Sequence, residues 1–226
     1  KLNPFEHPIW IEQARQEVNA ALLLLKKAEP HCPKHLLPIL SILNNHQRRL
    51  RLFDFGGGLG QALPYIYFPI NHYSVLDGPQ NCKMGRQLFS SFKNIEFFDT
   101  LPNKGSHYDI VLFNGALHYI EDWRSALKAA TAYTPQWILI SRVAVGSPIS
   151  VFSKQMIDIG FPPQHIGEIY RWVFDIEELI TTLADLSYQL VGRHPIRKTT
   201  AQGLSDERVP KDLVLHTLVF EHRNLD

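Results

Sequence analysis

Short apolar segments alternate with amphipathic segments from about residue 50 onward. The apolar segments predict β-strands at residues 50–55, 72–77, 95–98, 108–114 and 137–143. The stretches between them, such as NCKMGRQLFSSF and DWRSALKAATAY, carry apolar residues at helical spacing. Strands that alternate with helices are typical of a parallel sheet whose two faces are both covered by helices. The centre of the chain therefore predicts an α/β fold.

The N-terminal part of the chain differs from this alternating centre. Residues 9–28 are rich in Ala and Leu at helical spacing and predict one long helix. Three prolines then break the chain, and a second helix is predicted at about 35–47. We expect residues 1–49 to form a helical extension that packs on the core, and residues 50–226 to form the main domain.

The C-terminal part predicts the end of the sheet. Residues 176–194 read as a helix that runs into a strand, and residues 212–223 read as a long final strand. A polar loop rich in turn formers separates the two strands. We expect them to form a hairpin at the end of the sheet.

Composition narrows the class of protein. A chain of 226 residues suits one α/β domain with additions, and a net charge of +1 argues against a nucleic-acid-binding protein. No apolar run approaches the ~20 residues that a membrane span needs. The two cysteines are far apart and favour free thiols in a reducing cytoplasm. Prolines interrupt the small cluster of His31, Cys32 and His35, so we expect no metal site.

A glycine-rich segment, DFGGGLG at residues 54–60, directly follows the first predicted strand. Glycine lets the main chain approach a ligand closely, and the start of the next helix offers unpaired N–H groups. Neither Gly56 nor Gly58 begins a G-x-G-x-x-G dinucleotide motif, and no Gly-Lys-Ser/Thr of a P-loop follows. The pattern that fits is D-x-G-x-G-x-G.

Polar residues also end the next three predicted strands, namely Asp77, Asp99 and Asn114. Two of them also have a structural interpretation: Asp77 begins an Asp-Gly turn, and Asp99 can cap a helix or turn. Ligands of open α/β sheets bind at the carboxyl ends of the strands, near the point where the strand order reverses. A polar residue at every such end therefore favours a binding site.

These segments together resemble the class I S-adenosylmethionine (SAM)-dependent methyltransferases. The first motif of that family stands here as DFGGGLG, its acidic ribose ligand as Asp77 in VLDGP, and its adenine-edge residue as Asp99 beside Thr100. YDIVLFNGALHYIEDW resembles the fourth strand and the loop after it. The resemblance covers about residues 48–226. It implies a Rossmann-like, doubly wound seven-stranded sheet, mostly parallel, with an antiparallel last strand inserted between its neighbours.

The resemblance also implies SAM as the cofactor and methyl transfer as the reaction. We expect Asp77 to accept hydrogen bonds from both ribose hydroxyls, and Asp99 to accept from the adenine amino group. We expect Asp54 to orient the glycine loop or to meet the methionine ammonium through water. The implied cofactor-binding residues are Asp54, Gly56, Gly57, Gly58, Gly60, Asp77, Gly78, Asp99, Thr100 and Asn114.

A narrower likeness concerns the acceptor. FDFGGGLG, LHYIEDW and FSKQM resemble a bacterial group of methyltransferases associated with surface-polysaccharide gene clusters. This likeness favours a small-molecule or carbohydrate acceptor. Methylation of oxygen is favoured, and an oxygen acceptor usually needs a base. His118 follows the fourth strand, and two roles fit it: a general base, or a pocket residue packed near Tyr119.

The segment after the fifth predicted strand is longer than a minimal strand–helix connection. Its mixture of polar and aromatic side chains suits a sugar or another hydroxylated acceptor, but equally an oligomer contact or a plain lid. The candidate substrate contacts are Tyr119, Arg142, His165, Tyr170 and Arg171. The oligomeric state stays open.

Two other functions remain compatible with the sequence. One is a nicotinamide-dependent oxidoreductase, against which the missing G-x-G-x-x-G motif and the antiparallel ending both argue. The other is a non-catalytic protein that keeps the fold as a binding module. The intact motif residues argue against that second alternative.

Overall fold

The glycine-rich segment lies at the middle of a seven-stranded sheet. The computed structural model describes residues 3–26, 32–45, 49–66, 70–103, 105–159, 164–200, 204 and 206–223. The strands are β1 (Leu50–Phe55), β2 (Ile70–Leu76), β3 (Ile95–Phe98), β4 (Ile110–Asn114), β5 (Trp137–Val145), β6 (Val151–Ile159), β7 (Gln164–Val173), β8 (Tyr188–Thr200) and β9 (Asp212–His222). The α-helices are α1 (Pro8–Lys26), α2 (Leu37–Asn45), α3 (Leu63–Ile66), α4 (Pro79–Leu88), α5 (Trp123–Thr131) and α6 (Ile176–Asp185). Short 3₁₀ helices span Pro4–Glu6, Lys34–Leu36 and Leu117–Tyr119.

The strand order of the large sheet is β3-β2-β1-β4-β5-β9-β8. Strands β1 to β5 pair in parallel, whereas β9 runs antiparallel to both β5 and β8. This confirms the predicted seven-stranded, mostly parallel sheet with its last strand inserted between two neighbours. The order reverses between β1 and β4, so the carboxyl ends of these two strands flank the point where open α/β sheets bind ligands.

Hydrophobic cores cover both faces of the sheet. Successive residues of a strand point to opposite faces, so neighbouring Leu52 and Phe53 of β1 enter different cores. Leu52 shares its core with Val18 of α1 and Leu43 of α2, and Phe53 shares the other with Leu127 of α5. Full burial of each such side chain contributes about 1.5–3 kcal/mol. The N-terminal helices therefore share one core with the sheet.

The five strands predicted between residues 50 and 143 match the observed strands closely. Those at 50–55 and 95–98 have the observed bounds, and the others differ from the structure by one or two residues at either end. The predicted helix at 9–28 corresponds to α1, and that at 35–47 corresponds to a 3₁₀ turn followed by α2. Residues 27, 28, 46 and 47 of these predictions lie outside the described residues.

A separate two-stranded sheet, β6–β7, had no counterpart among the predicted elements. Its burial pattern explains the omission, because most of its residues are only partly buried on either face and the apolar alternation is weak. The hairpin follows the carboxyl end of β5, where Val145 bridges Phe174. Strand β7 contacts the 3₁₀ helices Pro4–Glu6 and Leu117–Tyr119. The hairpin therefore lies beside the ligand-binding edge of the sheet.

Across the residues that the structure describes, no helix is both long enough and apolar enough to cross a membrane.

Candidate functional site

The glycine segment forms a tight loop at the carboxyl end of β1. Gly56, Gly58 and Gly60 have φ of +71°, +59° and +84°, which side chains strongly disfavour. Gly57 is required for another reason: a Cβ there would lie 2.6 Å from Cγ of Asp54. The sequence therefore uses glycine both for the turn and for the close packing of the loop on Asp54.

Asp77 anchors this loop from the end of β2. Its Oδ2 accepts a hydrogen bond from the N–H of Gly58 at 2.7 Å. Its Oδ1 accepts from the N–H of Gly78 and from Nδ2 of Asn81, both at 2.7 Å. A carboxylate offers about four acceptor positions, so these donors use three of them. Asp77 thus holds the glycine loop, and its contact with a ribose stays a prediction.

Asp54 lies beneath the loop, fully buried. Its Oδ2 accepts a 2.5 Å hydrogen bond from the hydroxyl of Tyr73, while Oδ1 finds no hydrogen-bond partner in the described part of the chain. Burial raises the pKa of Asp54 to about 7, although the Tyr73 hydrogen bond acts in the opposite direction. The loop therefore packs on a carboxyl group that is poised to change charge near neutral pH. Sequence reasoning missed Tyr73, because an inward tyrosine of a strand has the same pattern as a core residue.

The end of β3 lies next to that of β2. The N–H of Asp77 donates to the carbonyl of Phe98 at 3.1 Å, and the thiol of Cys82 donates to the same carbonyl at 3.1 Å. Asp99 and Thr100, which follow β3 directly, are exposed at this edge. The structure thus brings Asp99 to the same rim as Asp77, with its side chain open to solvent.

The end of β4 meets an arginine from β5. The carbonyl of Asn114 accepts a 2.8 Å hydrogen bond from Nη2 of Arg142. Arg142 has φ of +57°, at a break in the register between β5 and β9. Backbone strain of this kind is concentrated at functional sites. A side chain at Gly115 would collide with the guanidinium, since its Cβ would lie 2.6 Å from Nη2. The Oδ1 of Asn114 is buried, with no hydrogen-bond partner among the described residues.

His118 and Tyr119 lie in the 3₁₀ helix that follows β4. Their rings pack with centroids 4.1 Å apart, and His118 is 6% exposed. Nδ1 of His118 has no partner among the atoms that the structure describes. Burial lowers the pKa of His118 well below its usual value, and the positive charges of Arg171 and Arg142 lower it further. His118 is therefore a neutral imidazole at neutral pH.

Arg171 of β7 approaches the same place from the hairpin. Its Nη1 donates to Oε1 of Gln155 at 3.4 Å, and the Tyr119 hydroxyl donates to that oxygen at 3.5 Å. Nε of Arg171 is buried and has no acceptor in the described ranges. Gln155, which sequence reasoning missed, thus links Arg171 to Tyr119.

The other two candidate substrate contacts lie elsewhere. Tyr170 neighbours Arg171 along β7, so its side chain points to the opposite face, where it packs on Phe152. His165 pairs with Asp158 at the far end of the hairpin, roughly 20 Å of extended strand from Arg171. The structure therefore brings Tyr119, Arg142 and Arg171 together around His118 and separates Tyr170 and His165 from them.

Residues of the N-terminus also reach this edge of the sheet. The ring of Phe5 packs edge-on against Tyr119 at 4.8 Å. Oε1 of Glu6 accepts a 3.2 Å hydrogen bond from the N–H of Gln80 and lies against Gly78. The Trp10 ring lies 3.5 Å from where a Cβ on Gly58 would stand. The sequence predicts that residues 1–49 pack on the core, with a helix from residue 9, but nothing in it indicates that residues 5–10 reach the glycine loop and Tyr119.

The expected absence of a metal rests on a cluster that the structure describes only in part. His31 lies outside the described residues. The carbonyl of His35 accepts hydrogen bonds from the hydroxyls of Ser141 and Thr217. Among the described residues, no group of three or more His, Cys, Asp or Glu side chains is arranged to hold a metal ion.

No protein-family model and no curated protein sequence matches the chain. Solved structures do match it. YcgJ from Bacillus subtilis is 13% identical with a TM-score of 0.57, over 84% of this chain and 99% of that one. The 1,6-didemethyltoxoflavin-N1-methyltransferase of Burkholderia thailandensis, with bound 1,6-didemethyltoxoflavin and S-adenosylhomocysteine (SAH), is 15% identical with a TM-score of 0.58, over 99% and 92%. The N-terminal domain of EvdMO1, in the presence of SAH and D-fucose, is 13% identical with a TM-score of 0.58, over 83% and 81%.

At these identities the likeness concerns architecture alone. The strand order, the inserted antiparallel strand and the glycine loop after β1 agree with what the sequence resemblance implied for the fold. The chain has the fold of the class I SAM-dependent methyltransferases.

Proposed function

We propose that this chain is a SAM-dependent methyltransferase that acts on a small-molecule or glycan acceptor. The observation that carries the proposal is the hydrogen bond from Gly58 to Asp77, which joins the glycine loop to the acid at the end of the adjacent strand. This pair lies beside the point where the strand order reverses, the place where such sheets take nucleotide-like ligands. One neighbour of the same fold was solved with bound SAH and another in the presence of SAH, which supports the choice of ligand.

The residues around the loop fit the two halves of SAM. Asp77 would hold the ribose hydroxyls beside Gly78, and Asp99 with Thr100 would meet the adenine. The main chain of Gly56, Gly57, Gly58 and Gly60 would pack against the methionine half. Two buried oxygens, Oδ1 of Asp54 and Oδ1 of Asn114, lack partners within the described chain and would suit the methionine ammonium. Such orphaned acceptors are costly in a folded protein unless a ligand satisfies them.

When bound, SAM supplies a methyl group on a sulfonium sulfur. The chain's own contribution is to align an acceptor with that methyl group and to exclude water, which supplies up to roughly 7–11 kcal/mol in favourable intramolecular models. Nδ1 of His118 has no hydrogen-bond partner in the described structure, so the ring with its proton on Nε2 would take the acceptor's proton as the acceptor oxygen is methylated. Burial lowers the pKa of His118, which makes the ring a weak base that acts in step with methyl transfer and not before it. This role favours an oxygen acceptor, whose hydroxyl must lose a proton. A link to surface polysaccharides would follow from the sequence likeness and from the hairpin's polar lining at Gln155 and Arg171.

Calorimetry with SAM and SAH tests the cofactor, with NADH and NADPH as the competing ligands. We expect the protein to bind SAM and SAH and to be stabilised by about 2.7 kcal/mol at a ligand concentration 100-fold above Kd. Stabilisation by nicotinamides alone would instead favour the oxidoreductase.

Asp77→Asn tests the site. The change neutralises the carboxylate that accepts hydrogen bonds from the glycine loop and, in this proposal, from the ribose hydroxyls. The Kd for SAH should therefore rise at least about tenfold. Asp158→Asn is the matched control, because Asp158 is exposed and contacts only His165 among the hydrogen bonds of the described residues. Equal SAH affinity of the wild type and Asp77→Asn would refute the proposed site.

A further inference from the structure

We propose that Arg142 and Arg171 form an anion subsite that holds a carboxylate or phosphate group of the methyl acceptor. The acceptor would accordingly be an acidic molecule, such as an acidic sugar, rather than a neutral one. This inference rests on the proposed function and adds the chemical class of the substrate.

The two arginines converge on the 3₁₀ helix after β4 from different elements. Arg142 lies on β5, where its backbone φ is positive, and its side chain donates to the carbonyl of Asn114. Arg171 leaves β7 and reaches Gln155, which also accepts from Tyr119. Both positive charges act on His118, which is 94% buried between these elements with its Nδ1 unpartnered in the described structure. Cations from two separate chain segments therefore face one buried polar residue.

Neither arginine has a full countercharge in the part of the chain described here. No carboxylate oxygen of the described residues lies within 4 Å of either guanidinium. The acids that act on Arg142 at longer range are Asp54 and Glu17, and burial raises the pKa of Asp54 to about 7, which weakens it as a countercharge. Among the described residues, Tyr119 is the one titratable group that acts on Arg171, and a tyrosine is neutral at that pH, the more so because burial raises the pKa of Tyr119.

Arg197 increases this excess, since its positive charge also acts on Arg142. Gln155 takes Nη1 of Arg171 and the carbonyl of Asn114 takes Nη2 of Arg142, which leaves the other Nη of each guanidinium without a hydrogen bond to the described residues. Such N–H donors suit the oxygens of a carboxylate or phosphate. A positive site of this kind, with donors unused, is stabilised by an anion from outside the chain. The ligand that would balance the charge of Arg142 and Arg171 is therefore a small anionic group.

The position of Arg171 assigns this group to the acceptor. The proposed nucleoside contacts lie at the ends of β2 and β3, whereas Arg171 lies on the hairpin that follows β5, across the strand order from them. The side chain of Arg142 extends from β5 to the end of β4, between these regions, where the methionine carboxylate of SAM would present the same chemistry. The test must therefore separate the anion of an acceptor from that of the cofactor.

Inorganic phosphate is the probe for the subsite, titrated by calorimetry into protein saturated with SAH, at constant ionic strength. We expect saturable binding to one site in the wild type. Arg171→Gln should weaken phosphate binding at least about tenfold, and Arg171→Lys should weaken it less, because the charge stays while the planar fork is lost. Arg193→Gln, at an exposed position on β8, is the control and should bind phosphate as the wild type does.

Affinities for SAH and for 5′-methylthioadenosine, which lacks the amino-acid half, identify the source of the anion. We expect Arg171→Gln to leave both affinities unchanged. A loss of SAH affinity with methylthioadenosine affinity retained would overturn the proposal, because it assigns the anion to the cofactor. Phosphate binding that is absent, or equal in wild type and Arg171→Gln, would overturn it while leaving the proposed function standing. Failure of the wild type to bind SAH would overturn the proposed function itself.

Discussion

The main-chain N–H of Gly58 donates to Oδ2 of Asp77 across 2.7 Å, so the end of β2 holds the loop at the end of β1. The strands are neighbours in the sheet, with Phe55 opposite Leu76, which brings their following residues to one rim. A loop of positive-φ glycines is entropically costly to order. The hydrogen bond to the Asp77 carboxylate offsets part of that cost and holds the loop in place in the absence of a ligand.

Gly58→Ala should disrupt this arrangement. The backbone there has φ of +59°, and the new Cβ would collide with the side-chain carbonyl oxygen of Gln61. We expect the Kd for SAH to rise at least about tenfold and the free energy of unfolding to fall by about 1–2 kcal/mol. Calorimetry and urea unfolding measure the two effects.

The control for Gly58→Ala is Gly105→Ala. A Cβ at Gly105 would have no neighbour within 4 Å, so this change should leave both SAH affinity and stability near those of the wild type. If Gly58→Ala behaved like Gly105→Ala, the loop would not have the proposed role in binding.

Asp54 should make stability depend on pH with an unusual sign. Its folded pKa of about 7 lies above the unfolded value, so between roughly pH 4 and 7 the folded protein binds more protons than the unfolded one. The contribution of this group is present at low pH and is lost as the pH rises through 7. Relative to Asp54→Asn, the wild type should lose at most about 1.4 kcal/mol of unfolding free energy per pH unit between pH 5 and 7.

Urea unfolding of both proteins at pH 5, 6, 7 and 8 checks this sign. Tyr73→Phe supplies a further comparison, because loss of the hydroxyl donor should raise the pKa of Asp54 and move the pH dependence upward. If the unfolding free energy of the wild type did not fall relative to that of Asp54→Asn between pH 5 and 8, Asp54 would be charged throughout this range.

The sequence predicted the sheet and the polar strand ends because both depend on local pattern. Apolar runs fix the strands, and parallel pairing then places Asp77, Asp99 and Asn114 on one edge. Contacts between distant segments have no such signal. The hydroxyl of Tyr73 reaches Asp54 from the neighbouring strand, and Gln155 reaches Tyr119 from a hairpin whose polar residues do not alternate cleanly. His165 and Tyr170 were grouped with Arg171 by proximity in sequence, although the pleat and the length of β7 separate them.

The N-terminal segment should control how fast a ligand leaves the site. Phe5 packs on Tyr119, a candidate substrate contact, and Glu6 binds the start of α4 beside Gly78, a proposed cofactor residue, so the segment lies beside both parts of the proposed site. Loss of one aromatic contact is worth about 0.5–1.5 kcal/mol, which corresponds to roughly two- to tenfold in rate. We expect Phe5→Ala to speed SAH dissociation by that factor in stopped-flow measurements.

Leu23→Ala is the control for Phe5→Ala, because Leu23 is 58% exposed on the same N-terminal part of the chain. This control should dissociate SAH at the wild-type rate. Equal rates for Phe5→Ala and the wild type would show that the N-terminal contacts do not gate the site.

His118 should remain neutral well below the pH at which an ordinary histidine gains its proton. Burial lowers its pKa, and the charges of Arg171 and Arg142 lower it further. NMR of ¹³C-labelled histidine, assigned with His118→Asn, should show no titration of this ring between pH 8 and 6, whereas a reference peptide titrates near pH 6.5. Because the unfolded chain does take up this proton, His118 should also lower the stability as the pH falls below about 6.5.

Arg171→Gln separates the two causes of this shift. Removal of one positive charge should raise the pKa of His118, yet burial, the larger cause, should keep it below the usual value. Arg193→Gln changes the net charge equally from an exposed place on β8 and should leave the ring's titration unchanged. A His118 ring that titrated near pH 6.5 in the wild type would remove the case for a neutral base beside two arginines. Titration shifted equally by both arginine variants would mean that the effect is one of overall charge, not of the contact between Arg171 and the site.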